Sequence, residues 1–112
     1  ELQRLRLAKS EPIILETSWM PADIFPGLSL DLFNGRSLYD IMNQEYGVQP
    51  VKAHEYFEPV IIDEYEAKLL EVEERTAGLL LHRVAFDGQG TPVELCKAIV
   101  RGDKCRYYVQ LP

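Results

Sequence analysis

Apolar and polar residues alternate with period two along several stretches of this chain, and each such stretch predicts a strand. In Leu2–Ala8, Leu2, Arg4, Arg6 and Ala8 fall on one side and Leu5 and Leu7 on the other. Lys9-Ser10-Glu11-Pro12 has turn chemistry, and Ile13–Met20 alternates again, with Ile14, Glu16 and Ser18 against Ile13, Leu15 and Thr17. A hairpin pairing Leu7 with Ile13 sets Arg4 opposite Glu16 and Arg6 opposite Ile14. Val51–Ile62 is a long alternating run interrupted by Pro59, which predicts a bend or bulge there. Leu79–Phe86, Pro92–Arg101 and Lys104–Leu111 follow, joined by Asp87-Gly88-Gln89-Gly90 and by Gly102-Asp103, and read as an antiparallel meander.

Two segments carry helical spacing instead. Ser37 is a preferred cap residue with Asp40 three positions on. Leu38, Ile41, Met42 and Tyr46 make the apolar stripe, and Gly47 is a natural stop. Asp63 caps a second helix with Glu66 three positions on; Ala67, Leu69 and Leu70 are its apolar side, and it ends near Glu71. Pro21–Leu28 is bracketed by prolines and has room for one helical turn at most. Both helices are short, so packing on a sheet must hold them.

The strand pattern locates the chemistry. With Arg101 paired to Lys104, one sheet face holds Cys96, Ala98, Val100, Cys105, Tyr107 and Val109, with Glu94 among them. A carboxylate on an apolar face must find a partner, reach solvent at a strand end, or face a ligand cavity. Arg4, Arg6 and Glu16 share another face. That is either a solvated surface with a cross-strand ion pair, contributing about 0.2–1 kcal/mol, or an anion site. Guanidinium forks match phosphate or carboxylate. The free N–H groups where the Ser37 helix starts favour an anion too, although every helix has such an end.

Composition narrows the function classes. The length suits one domain with one core. The net charge of −6 lacks the basic footprint of a nucleic-acid binder. There is no membrane-spanning apolar run and no signal-peptide pattern. The two cysteines and two histidines show no metal-ligand spacing. In the meander register Cys96 and Cys105 are too far apart for a disulfide, and reduced thiols fit a cytoplasmic protein. No cofactor or metal is expected. The chain starts at Glu1, already in strand pattern, and is expected to be part of a longer protein.

Five motifs in order carry a resemblance that covers essentially the whole chain: Glu11-Pro12, Phe25-Pro26-Gly27-Leu28, Ser37-Leu38-Tyr39, Gly90-Thr91-Pro92-Val93-Glu94 and Arg101-Gly102-Asp103-Lys104. Together with the element order they resemble the UTRA domain, the effector-sensing C-terminal half of GntR-type (HutC subfamily) bacterial transcription regulators. The resemblance implies an α+β, chorismate-lyase-like fold, with short helices on an antiparallel sheet of about six strands. It implies a winged-helix DNA-binding domain preceding this chain. It implies a small anionic effector, a sugar phosphate or a carboxylate. In phosphosugar-binding relatives the residues matching Arg4, Arg6, Ser37 and Tyr39 hold phosphate, and acids matching Glu16 and Glu94 hold hydroxyls or an amine. Some relatives carry an aromatic residue where this chain has Val100; Tyr107, on the Glu94 face in the meander register, is the expected substitute.

Three functions follow as expectations. The first is an effector sensor that binds DNA only through the preceding domain. It would form a homodimer through the exposed alternation Lys97, Ile99, Arg101, Arg106 and Tyr108. The second is a lyase on the same fold, for which no nucleophile–base pair is visible. The third is a dimerisation module without a ligand.

Overall fold

The computed structural model describes residues 1–112. It contains strands β1 (Leu2–Ala8), β2 (Glu11–Trp19), β3 (Lys52–Ile61), β4 (Ala77–Phe86) and β5 (Pro92–Arg101), with helices α1 (Leu38–Tyr46) and α2 (Glu64–Leu70). The strands form one five-stranded sheet in the order β1-β2-β5-β4-β3, antiparallel throughout. This is the α+β class expected, with one strand fewer.

The missing strand is Lys104–Leu111. Gly102–Lys104 is a 3₁₀ turn and the chain beyond it joins no ladder. The reason is edge occupancy. β5 is central, with β2 on one side and β4 on the other, so no unpaired edge remains for a hairpin from its own C-terminus. The expected pairing of Arg101 with Lys104 therefore does not form, and neither does the meander register that would follow from it. Both cysteines are free thiols.

The first hairpin keeps its functional register by an unexpected route. Arg4 pairs with Glu16 and Arg6 with Ile14, but a bulge between Arg6 and Leu7 then sets Leu7 opposite Pro12 rather than Ile13. Lys9 and Ser10 turn the chain, both at positive φ, the backbone of a tight two-residue hairpin. β3, by contrast, pairs with β4 without any register shift through Pro59, so the expected bulge is absent. β3 is a sheet edge, where every second residue points its backbone away from the ladder and a missing N–H costs no bond.

The two faces follow from the registers. One carries Leu15, Leu80 and Ile99, and α2 covers it with Ala67 and Leu70. Asp63 and Glu66 fasten the start of α2 in a reciprocal capping box. This coverage corrects the expected dimer surface. Ile99 and Arg101 are buried, and Arg101 is held by Glu11 at 2.9 Å, by Asp103 at 2.8 Å and by the Pro12 carbonyl at 3.2 Å. The opposite face is capped by α1 and the Pro21–Phe33 segment, where Phe25, Leu38, Met42, Ala85 and Val93 form a second core.

Candidate functional site

On the α1 face, cross-strand pairing lines up a continuous polar path. Arg4 and Arg6 come from β1, Glu16 and Ser18 from β2, Glu94 from β5 and Arg83 from β4. The start of α1 closes the path from above. Ser37 Oγ accepts the Asp40 N–H at 3.1 Å, which fixes the first turn and leaves the hydroxyl hydrogen free to donate. Together Arg4, Arg6, Glu16, Ser37, Leu38, Tyr39, Arg83 and Glu94 enclose a cleft of about 220 Å³.

Six of the seven residues singled out from the sequence meet in this cleft. Tyr107 does not. The tail that bears it is not paired in the sheet, and its ring packs edge-on against Phe57 at 4.9 Å between centroids. Arg83 and Ser18 were not anticipated. Arg83 reads as a polar outward position in a strand, and Ser18 is a small residue whose importance depends on what lies across the ladder.

The charges are arranged asymmetrically. Glu16 Oε2 accepts Arg4 Nη2 at 3.0 Å and lies 3.5 Å from Arg6 Nε. One carboxylate oxygen thus serves two guanidiniums. Arg4 is the more enclosed, with 22% of its side chain exposed against 53% for Arg6, and its Nε is buried with no acceptor in the protein.

Glu94 sits at the other side of the cleft, 3% exposed. Its carboxylate has no cation in contact. Ser18 Oγ donates to Oε2 at 2.8 Å, and Tyr39 Oη donates to Oε1 at 2.7 Å. Two hydroxyls therefore meet the requirement that a buried carboxylate be hydrogen-bonded. Burial and the bond to Glu94 push the Tyr39 phenol pKa well up. Arg83 donates through Nε to Glu55 on β3 at 2.7 Å. Burial works against its charged form, but the Glu55 contact outweighs that and its pKa is raised.

A neighbouring cavity of about 270 Å³ is lined mainly by Leu2, Met20, Phe25, Leu28 and Phe33. It offers burial without directional chemistry, so the arginine cleft is the better candidate. No cluster of side chains suited to a metal ion is present, and no helix is long and apolar enough to cross a membrane.

Comparison with known proteins gives concordant matches. The UTRA domain family model matches residues 1–106. The HTH-type transcriptional repressor NagR of Bacillus subtilis (strain 168) is 28% identical over 104 residues, which cover 93% of this chain and 42% of NagR. The HTH-type transcriptional repressor PhnF of Mycolicibacterium smegmatis is 28% identical over 107 residues, 96% of this chain and 43% of PhnF. The crystal structure of a ligand-binding domain from Bordetella bronchiseptica, assigned to the GntR family of transcriptional regulators, superposes with a TM-score of 0.91 at 27% identity. That match covers 98% of this chain and 70% of the other. The chain spans less than half the length of NagR and of PhnF.

Proposed function

This chain belongs to the UTRA domain family, and we propose that it is the effector-sensing domain of a bacterial transcription regulator, binding a small anionic metabolite in the arginine cleft. The observation that carries the reading is the sharing of one Glu16 oxygen by Arg4 and Arg6 beside the Ser37 end of α1. One carboxylate offsets one guanidinium, and the remaining positive charge is matched by an incoming anion. An oxyanion there meets two guanidinium forks, the Ser37 hydroxyl and the first-turn N–H groups of α1. The buried Glu94 carboxylate accepts hydrogen bonds from the ligand's hydroxyl or amino groups. A phosphate at one end and hydroxyls at the other describe a sugar phosphate.

Such a ligand ties β1 to the start of α1. β1 is the first strand of the chain. A winged-helix domain attached before Glu1 would sense that tie, and contact with operator DNA would belong to that domain. NagR and PhnF are both HTH-type transcriptional repressors, which supports a regulatory rather than a catalytic role. We place the assembly as a homodimer, the symmetry that inverted-repeat operators require.

Calorimetry with a panel of sugar phosphates, on wild type and on Arg4→Ala and Arg6→Ala, tests the site. Binding that both variants retain at full strength would move the anion elsewhere, and turnover of chorismate by the chain would replace the sensor with an enzyme. Light scattering that finds a monomer at high concentration would refute the dimer.

A further inference from the structure

We propose that Arg83 is a second anion pole of the cleft and that the effector is two-ended, with a phosphate at the Arg4–Arg6 end and a carboxylate at the Arg83 end. The inference rests on the cleft being the effector site, and it specifies the ligand class.

The registers supply the geometry. Arg83 pairs with Cys96, Cys96 with Ser18 and Ser18 with Leu2, in the row of the sheet next to Arg4, Glu16 and Ala98. Arg83 and Arg4 therefore lie three strand spacings apart, roughly 14 Å between backbones at about 4.8 Å per spacing. Both side chains line the same cleft, and the sheet between them carries the small residues Cys96 and Ala98. Side chains stand roughly perpendicular to a sheet, so most of that separation is left for a short carbon chain. Glu94 stands one row beyond Arg83, opposite Ala85, and its buried carboxylate, held by Ser18 and Tyr39, flanks the path between the poles and is placed for the hydroxyls of such a chain.

The charge pattern separates the two ends. At the first, two guanidiniums and a helix start surround a tetrahedral oxyanion from several directions. At the second stands one planar fork, the shape that pairs with the two oxygens of a carboxylate. Arg83 spends only its Nε in a hydrogen bond within the protein, on Glu55. Glu55 belongs to the edge strand and its side chain is 37% exposed. It restrains Arg83 from the rim, and an incoming carboxylate competes with it.

The test is calorimetry on the whole chain with glucose 6-phosphate and 6-phosphogluconate, which share the phosphate end and differ at C1, a hemiacetal closed into a ring in the first and a carboxylate on an open chain in the second. Wild type is expected to bind 6-phosphogluconate roughly tenfold to a hundredfold more tightly, the worth of one charge-assisted contact. Arg83→Gln should erase that preference, and Arg4→Ala should weaken both. Glu55→Gln, which removes the competitor and keeps Arg83, should tighten 6-phosphogluconate alone; it reads the same interaction with opposite sign if Arg83→Gln fails to fold. Equal affinities in wild type, a preference that survives Arg83→Gln, or binding of neither probe overturns the two-ended class. If glucose 6-phosphate binds and weakens in Arg4→Ala while no preference exists, only the Arg83 pole falls. If probes bind and Arg4→Ala weakens neither, the cleft itself is the wrong site.

Discussion

Tyr39 on α1 donates its phenol to Glu94 on the central strand at 2.7 Å, and this bond joins the start of the helix to the floor of the cleft. It also makes Tyr39 a titration reporter. The phenol's ordinary pKa is 10.0, and burial together with the Glu94 carboxylate raises it. The folded state therefore holds this proton more tightly than the unfolded chain does. The bond's contribution is fully present below about pH 10 and is lost as pH climbs from there toward the raised folded value. Tyr39→Phe should lower stability by about 1 kcal/mol at neutral pH, a modest figure because the ring is more than one-third exposed. In an alkaline titration followed by tyrosinate absorbance, the variant should lack the latest-ionising tyrosine of the wild type. An unchanged late phase would show that Tyr39 is not the group bonded to Glu94.

Arg4 and Arg6 should separate by assay. Either change to Ala should weaken an anionic effector by roughly tenfold to more than a hundredfold. Only Arg4→Ala should also cost measurable stability, because Arg4 is mostly enclosed and makes the shorter bond to Glu16, whereas Arg6 is half exposed at 3.5 Å. Exposed pairs contribute little to folding. Denaturant midpoints beside calorimetry distinguish the two, and equal midpoints for both variants would contradict the assigned difference.

Ser18 is fully buried and its hydroxyl is one of two donors to Glu94. Ser18→Ala leaves a buried carboxylate with half its partners, at a cost of about 1–3 kcal/mol. Combining it with Tyr39→Phe should be worse than the sum of the single changes, since the pair then leaves Glu94 with no hydroxyl at all. Additive midpoints in a double-mutant cycle would show that Glu94 finds another partner.

The cysteines differ in the same framework. Cys96 lies on the cleft floor at 2% exposure, and burial, then the Glu94 charge, push its thiol pKa up. Cys105 is part-exposed. A thiol reagent should modify one cysteine per folded chain, Cys105, and reach Cys96 only on unfolding. Peptide mapping that finds Cys96 labelled first would mean the α1 cap opens readily.

What was legible in the chain divides along the range of the interaction. Local signals held. Ser37 and Asp63 cap as their spacing implies, and the alternation of β1 and β2 brings Arg4 to Glu16 even though a bulge shifts Leu7. Pairing between distant strands did not show. Nothing around Arg101 says that β2, some eighty residues earlier, occupies the edge that Lys104–Leu111 would need. The tail that bears Tyr107 therefore lies off the sheet, against Phe57. Arg83 shows the same limit: in isolation it is a charged residue in an alternating strand, and only the sheet order brings it to the cleft with Glu94 and Tyr39.

Gly102 gives the last prediction, and it concerns how the cleft floor is anchored. The Arg101-Gly102-Asp103 turn ends β5, and Arg101 is locked there by Glu11, Asp103 and the Pro12 carbonyl. A Cβ at Gly102 would stand against the carbonyl oxygen of Ala77 closer than real Cβ atoms sit, with the carbonyl carbon crowded as well. The obstacle is the backbone of β4, which pairs with β5 through Gly78 and Arg101, so it cannot yield as a flexible side chain would. Gly102 does not have a positive φ, which makes the penalty steric rather than conformational. Gly102→Ala should therefore destabilise the chain by about 1–3 kcal/mol, the range for forced overpacking, with effector binding intact in whatever fraction folds. Gly27→Ala is the contrast, with open space at the Cβ but φ at +74°; its cost should be the smaller conformational one, about 1 kcal/mol. Thermal unfolding of the two variants side by side decides the point: a Gly102→Ala chain as stable as wild type would mean the turn does not press on β4.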